Sequence, residues 1–323
     1  MFKKGLFLIG ICLFYMVVFS QSVKFPAFTD GMERKSASVQ FDNDTYYLTD
    51  YYYTNGLEID LILPVFENRK VMQVLHRDDS QILAGLSLSQ HLYTPKNIRD
   101  TLIQFNDRPF AATLELDYFV DKTNLLNHLQ WQARIRLGII GPSAGGEAFQ
   151  RKIHQWIDSP NPNGWEYEIA NDLIANIDFM LAYPLFLRKY FKLSAIGAVR
   201  AGTLFDDLNA GVSLQAGNNP IVTISKDKKQ DRPSGKKLIP YLTSDVSVRL
   251  VGYNATLQGG VFSGFNHHVI SSKGLTRVIL FSNTTLGLLW RGVSLDYTHS
   301  FLTKEFDEGI SHQYGSFKLT VFF

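Results

Sequence analysis

Leu57-Glu58-Ile59-Asp60-Leu61-Ile62-Leu63 places apolar side chains at nearly every second position, with carboxylates between them. Successive side chains of a strand point to opposite faces, so this stretch carries one apolar and one acidic face. The same alternation, interrupted by turn chemistry, recurs at Ser38 to Asp42, Leu83 to Tyr93, Ala111 to Val120, Leu129 to Ile139 and Ile174 to Leu185. It continues at Phe191 to Leu204, Ala210 to Gln215, Tyr241 to Val251, Thr276 to Ser282, Val293 to Phe301 and Ser316 to Phe323. Together these predict about twelve strands. An even count with short turns, such as Lys189-Tyr190 and Asn254-Ala255, suits an all-β chain closed into an antiparallel barrel, because closure leaves no edge unpaired. A soluble β-sandwich shares the alternation, but its strands run about five or six residues. Many of these run about ten, the length that crosses a bilayer.

Composition agrees with a lipid-facing wall. Aromatic residues make up 13% of the chain, as aromatic girdles at two membrane interfaces require. The last stretch, Phe317-Lys318-Leu319-Thr320-Val321-Phe322-Phe323, alternates toward a terminal aromatic residue. That is the form of a strand read by the barrel assembly machinery, which is therefore an expected partner. Lys3 and Lys4, followed by an apolar run from Gly5 to Phe19 and the small Ser20, predict an export signal over 1–20. The barrel domain is then expected over 21–323, in a bacterial outer membrane. Cys12, the only cysteine, lies inside that signal, which excludes thiol and disulfide chemistry from the rest. A net charge of +2 on 323 residues is too small to argue for nucleic acid.

The longest departures from alternation are Pro64 to Gln81, Gly141 to Asn171, Asn218 to Lys237 and Asn254 to Gly274. Long excursions are expected on the outer side. In the second, Glu147 to Ile157 has helical spacing, opened by Gly141-Pro142-Ser143-Ala144-Gly145-Gly146 and closed by Asp158-Ser159-Pro160. A short helix is expected in that extracellular loop. Gln150 and His154 lie four apart and share one of its faces; His154 reads either as a surface histidine or as a general base working near neutral pH.

Asp42-Asn43-Asp44, Thr49-Asp50 and Tyr53-Thr54-Asn55-Gly56 cluster oxygen donors around the first turn. Such a cluster suits Ca²⁺ better than zinc, and reads equally as a hairpin turn rich in Asp and Asn. Gly141-Pro142-Ser143-Ala144-Gly145 fits G-x-S-x-G, but nothing around it reads as the α/β sheet a nucleophile elbow needs. Asp107-Arg108 at the start of a strand reads as a structural ion pair in the lumen. Gly164-Trp165 and Asn254 to Gly260 read as loop anchors.

In order and spacing, Asn43-Asp44, Tyr53-Thr54-Asn55-Gly56, Leu92-Tyr93-Thr94-Pro95, Asp107 to Ala111, Ile140 to Gly146, Gln150 through His154 and Gly164-Trp165 resemble the outer-membrane lipid A 3'-O-deacylase family. The resemblance implies a twelve-stranded barrel that hydrolyses an acyl ester of lipid A, the glycolipid of lipopolysaccharide, with calcium and a water rather than a serine. It implies a polar site set in the wall, with His154 as base and Gln150 beside it. Asn43 and Asp44 follow as the paired site residues, Asp44 as calcium ligand, with Thr54 as the hydroxyl residue and Lys96, or Arg99, as the site cation. An acidic residue that some members carry after the histidine falls here at Pro160, so that its role is either lost or taken by Asp158. Two other readings share the fold. One is a non-enzymatic or lipid-binding barrel; the other is an outer-membrane phospholipase acting through Ser143.

Overall fold

In the computed structural model, residues 35–47, 49–67, 80–217 and 238–323 are described. The expected export signal and the bulk of two expected excursions, 68–79 and 218–237, lie outside them.

Twelve strands form one closed antiparallel barrel in which every strand pairs with its chain neighbours and the first pairs with the last. They are β1 (Ser36–Asn43), β2 (Tyr52–Ile62), β3 (Ser80–Thr94), β4 (Ala111–Asn124), β5 (Gln130–Ile140) and β6 (Asp172–Arg188). The circuit continues with β7 (Phe191–Gly202), β8 (Phe205–Gly217), β9 (Ile239–Asn254), β10 (Val278–Trp290), β11 (Val293–Leu302) and β12 (His312–Phe322). Among the described residues two α-helices lie in the excursions after strands, α1 (Gly146–Trp156) and α2 (Ala255–Gln258). Among the described residues no helix is long and apolar enough to cross a membrane. β6 shows the pattern of the wall: Leu173, Ile177, Phe179, Leu181 and Tyr183 face out and are exposed, while Asp172, Asn176 and Asp178 face in and are buried.

Several inward charges are paired in the lumen. Arg134 meets Asp117 at 2.9 Å, Arg136 meets Asp178 at 3.0 Å and also Glu115, and Arg200 clasps Asp207. Removing one partner of such a pair leaves a desolvated charge, so the lumen is held as a network. β8 starts at Phe205, earlier than alternation predicts, because Asp206-Asp207-Leu208-Asn209 reads as loop until Asp207 turns inward onto Arg200.

Ser36 pairs with Phe322, so both ends of the barrel's chain lie at one rim. The turns Lys189-Tyr190 and Arg291-Gly292 return at that rim. Arg291 and Gly292 both have positive φ, 49° and 80°, as a two-residue turn matched to strand twist requires. Aromatic rings with cations over them mark this rim, Arg188 on Phe186 at 4.5 Å and Arg291 on Trp290 at 4.9 Å, as an interfacial belt does.

Two expectations are corrected by this topology. The excursions after β2 and β8 leave strands that end at the rim of the chain termini, opposite the rim from which Gly141 to Asn171 and Asn254 to Gly274 depart, because strand direction alternates around a closed barrel. Asn254-Ala255 is not a short turn. Asn254 accepts from the Thr256 N–H at 3.0 Å and caps α2, which opens a long excursion at the opposite rim.

Candidate functional site

At the rim opposite the termini, β1 ends in Asp42-Asn43, and Asp44 follows it. Asp42 faces the lumen, where it accepts from the Tyr53 hydroxyl at 2.8 Å, and Tyr53 in turn contacts His91 Nδ1 at 2.9 Å. These three line a polar lumenal cavity of about 160 Å³ together with Arg134, Arg136 and Arg200. Side chains alternate, so Asn43 and its cross-strand partner Asn55 face outward. On the next strands Leu92, the partner of Asn55, and Ala112, the partner of Leu92, continue that outer face. The polar constellation expected within the wall therefore lies on its outside, because one position along a strand reverses the face.

A bulge sets the second element. β2 pairs Tyr53 with Tyr93 and then Asn55 with Leu92, leaving Thr54 as the extra residue. Bulges re-aim side chains next to sites. Tyr52, just before it, has a left-handed φ of 65° although it carries a buried aromatic side chain, a strained conformation that its surroundings must hold. Thr54 accepts from the Asp44 N–H at 3.4 Å. Asp44, only 1% exposed, accepts from the Tyr51 N–H at 2.9 Å through Oδ2, and its Oδ1 has no partner. Thr54 Oγ1 and both amide atoms of Asn55 are likewise buried without partners. Asn43 Oδ1 accepts from the Thr45 N–H at 2.8 Å.

The third element is α1, which lies against the outer wall. Gly141 and Gly145, with φ of 103° and 73°, carry the chain over the rim in a conformation that favours glycine. A Cβ on Gly146 would stand 2.4 Å from the Ala112 Cβ and 2.9 Å from the Trp165 ring, so glycine lets helix and wall touch. Gln150 and His154, one turn apart, are the buried pair of the helix face. Trp165 donates from Nε1 to Gln150 Oε1 at 2.8 Å, and Gln150 Nε2 is left buried and unpartnered.

His154 Nδ1 lies 2.6 Å from the Pro160 carbonyl oxygen. A carbonyl only accepts, so Nδ1 carries the proton and Nε2 keeps a lone pair. Nε2 is 3.5 Å from Asp50 Oδ2, brought in by the β1–β2 turn. Pro160, where the resemblance places an acidic residue, thus engages one ring nitrogen through its own carbonyl.

Electrostatics mark the same place. Burial pushes the Asp44 carboxyl well above its usual range, aided by Asp50 and opposed by the Tyr51 N–H. Burial also raises Asp50, against the charges of His154 and Arg99. Among the described residues no group of three or more His, Cys, Asp or Glu is set to hold a metal. Calcium, however, accepts carbonyl, amide and hydroxyl oxygens beside few carboxylates. A buried Asp44 oxygen without a partner, flanked by unpartnered Thr54 and Asn55 oxygens, fits that donor chemistry.

The other residues fall as follows. Lys96 stands apart and exposed, with Nζ 3.5 Å from the Glu308 carbonyl and 6.0 Å from the Tyr52 ring centroid. Ser143 is exposed, and its backbone N–H donates to Asn171 at 2.8 Å; among the described residues its hydroxyl contacts neither histidine nor carboxylate. Asp107 and Arg108 do not pair side chain to side chain, since adjacent residues diverge. Arg108 reaches Glu305 at 3.0 Å and Thr256 at 2.9 Å, while Asp107 accepts from the Lys96 N–H at 2.8 Å. Sequence reading assigned Trp165 to loop anchoring and Asp50 to an oxygen cluster. Their contacts to Gln150 and His154 join distant segments and have no local signal.

The sequence matches the family described as outer membrane protein LpxR over residues 7–323. Among solved structures, LpxR from Salmonella typhimurium aligns with a TM-score of 0.70 at 19% identity, covering 89% of this chain and 100% of that one. The β domain of the Bordetella autotransporter BrkA aligns at 0.46 and 10% identity, covering 90% and 100%. No curated protein matches by sequence search.

Proposed function

The chain belongs to the LpxR family of outer membrane proteins, and from that membership we propose that it is a lipid A deacylase that removes an acyl chain by water hydrolysis. The observation that carries this reading is His154, whose Nδ1–H is fixed on Pro160 and whose Nε2 lone pair stands free of its own loop. A base so oriented accepts a proton at one defined atom.

The reaction balances through that atom. A water O–H bond breaks as Nε2–H forms, and the water oxygen bonds to the acyl carbonyl carbon. The ester C–O bond then breaks, and the departing sugar oxygen takes the proton from Nε2. The products are a carboxylic acid and a lipid A hydroxyl. Asp44, with Thr54 and Asn55 beside it, would hold calcium, which when bound supplies positive charge toward a developing oxyanion. Gln150, steadied by Trp165, offers an Nε2–H donor to the substrate ester or the water. Asn43 and Thr54 line the approach from the wall, and Lys96 at the exposed rim is available to a phosphate of the glycolipid. Because Asn43 and Asn55 face outward, substrate reaches the site from the outer leaflet without entering the lumen.

The test is mass spectrometry of lipid A from a Gram-negative host expressing the chain or its His154→Ala variant, with calcium present. Loss of one acyl or acyloxyacyl group with the parent and not the variant is the expected result. Unchanged lipid A from a folded parent overturns the reading and leaves a lipid-binding barrel. Ser143→Ala retains activity here and loses it if a serine phospholipase is at work.

A further inference from the structure

We propose that Asp50 is the positioning residue of His154, a carboxylate supplied from the β1–β2 turn to the ring nitrogen that receives the proton. The pairing is a matter of geometry, while its effect on rate rests on the hydrolytic reading above.

Each ring nitrogen of His154 meets a different element. Nδ1 is held at 2.6 Å by Pro160, on the segment that follows α1. Nε2 faces Asp50 Oδ2 at 3.5 Å, across the boundary between helix and wall. With Nδ1–H fixed, any proton His154 gains must sit on Nε2, next to that carboxylate. His154 is 5% exposed, so few partners can face Nε2, and Asp50 is the carboxylate that does.

Asp50 also differs from a structural ion-pair partner. Its side chain keeps 31% of its exposure, so water reaches the edge where Oδ2 and Nε2 stand together. Both atoms accept hydrogen bonds, and a water there can donate to one while it surrenders a proton to the other. Burial nonetheless raises the Asp50 carboxyl, with His154 and Arg99 as the charges that favour its ionised form. Asp50 thus links the turn that carries Asp44 to the helix that carries His154. Seating the turn against the helix fixes the ring between two acceptors.

The experiment uses the full barrel in detergent with calcium and compares the parent with Asp50→Asn and Asp50→Glu. Two quantities are read: kcat and KM on lipid A, and the ¹⁵N shifts of His154 in histidine-labelled protein, assigned by loss of its signals in His154→Gln. Asp50→Asn is expected to lower kcat by at least about tenfold, with KM within about twofold. Asp50→Glu, which restores the charge, is expected to recover part of that loss. The Nε2 resonance is expected to move in Asp50→Asn while Nδ1, bound to Pro160, stays in place. An unmoved Nε2 resonance, or a kcat equal to that of an active parent, overturns the proposal. Should the parent be inactive while Nε2 still moves, the pairing stands and the deacylase reading falls.

Discussion

Trp165 and Gln150, fifteen residues apart in one rim excursion, share a 2.8 Å hydrogen bond in which the indole N–H donates to the amide oxygen. The bond fixes which end of the glutamine faces the site. Its Nε2 is left as a buried donor without a partner. Trp165→Phe keeps the ring packing on Phe110, whose centroid lies 4.9 Å away, and removes only the donor. Lipid A hydrolysis is expected to fall about tenfold, the equivalent of one net hydrogen bond, with the folded barrel intact by heat-modified gel migration.

Gly146 sits where helix and wall touch. Gly146→Ala drives a Cβ to 2.4 Å from Ala112, and overpacking of this kind costs about 1–3 kcal/mol. Ala112 belongs to a strand, so the helix is the part that moves, taking His154 with it. Activity is expected to drop by more than tenfold while the melting midpoint of the barrel changes little. Equal activity in variant and parent shows that the helix does not need this contact.

Arg108 is fully buried and pairs with Glu305 at 3.0 Å. Arg108→Ala strands the Glu305 carboxylate, a loss of about 3–5 kcal/mol for a broken buried pair. Denaturant unfolding is expected to shift to lower concentration, and Arg108→Ala/Glu305→Ala to recover part of the shift. No recovery in the double variant assigns the loss to packing on Tyr93, whose ring lies 4.6 Å from the guanidinium.

Glu168 gives the rim a pH dependence. Burial, with Glu147 as the second cause, lifts its carboxyl to about 8, and it is 7% exposed. The folded value lies above the unfolded one, so the folded rim binds more protons. Its contribution is full below the ordinary glutamate range and is lost as pH rises through about 8. Amide protection over 165–169 is expected to fall between pH 7 and 9, by an amount on the order of a few kcal/mol at most. Glu168→Gln is expected to hold its protection across that interval.

Calcium is expected to act on the β1–β2 turn through Asp44. Adding the ion should slow proteolysis near Thr49 and Asp50, and a chelator should restore the original rate. Asp44→Asn should abolish the difference and the hydrolysis of lipid A together. Protection unaltered by calcium in the parent means that the Asp44 oxygens do not bind it.

Leu57 to Leu63, with the segments that repeat its alternation and the aromatic close at Phe317 to Phe323, was enough to define the barrel and its strand number. Lipid and lumen impose a period of two on every strand, and that period is written locally. α1 was equally legible, since Gly145-Gly146 and Pro160 bracket helical spacing that puts Gln150 and His154 on one face. Tertiary structure alone decided the side of the wall and the partners. The bulge at Thr54 and the outward turn of Asn43 and Asn55 depend on pairing register, which no single strand encodes. Asp50 meets His154, Trp165 meets Gln150 and Arg108 meets Glu305 only because closure of the sheet and the fold of its rim bring distant segments together. Contacts of that kind depend on three-dimensional proximity, which leaves no periodic trace along the chain.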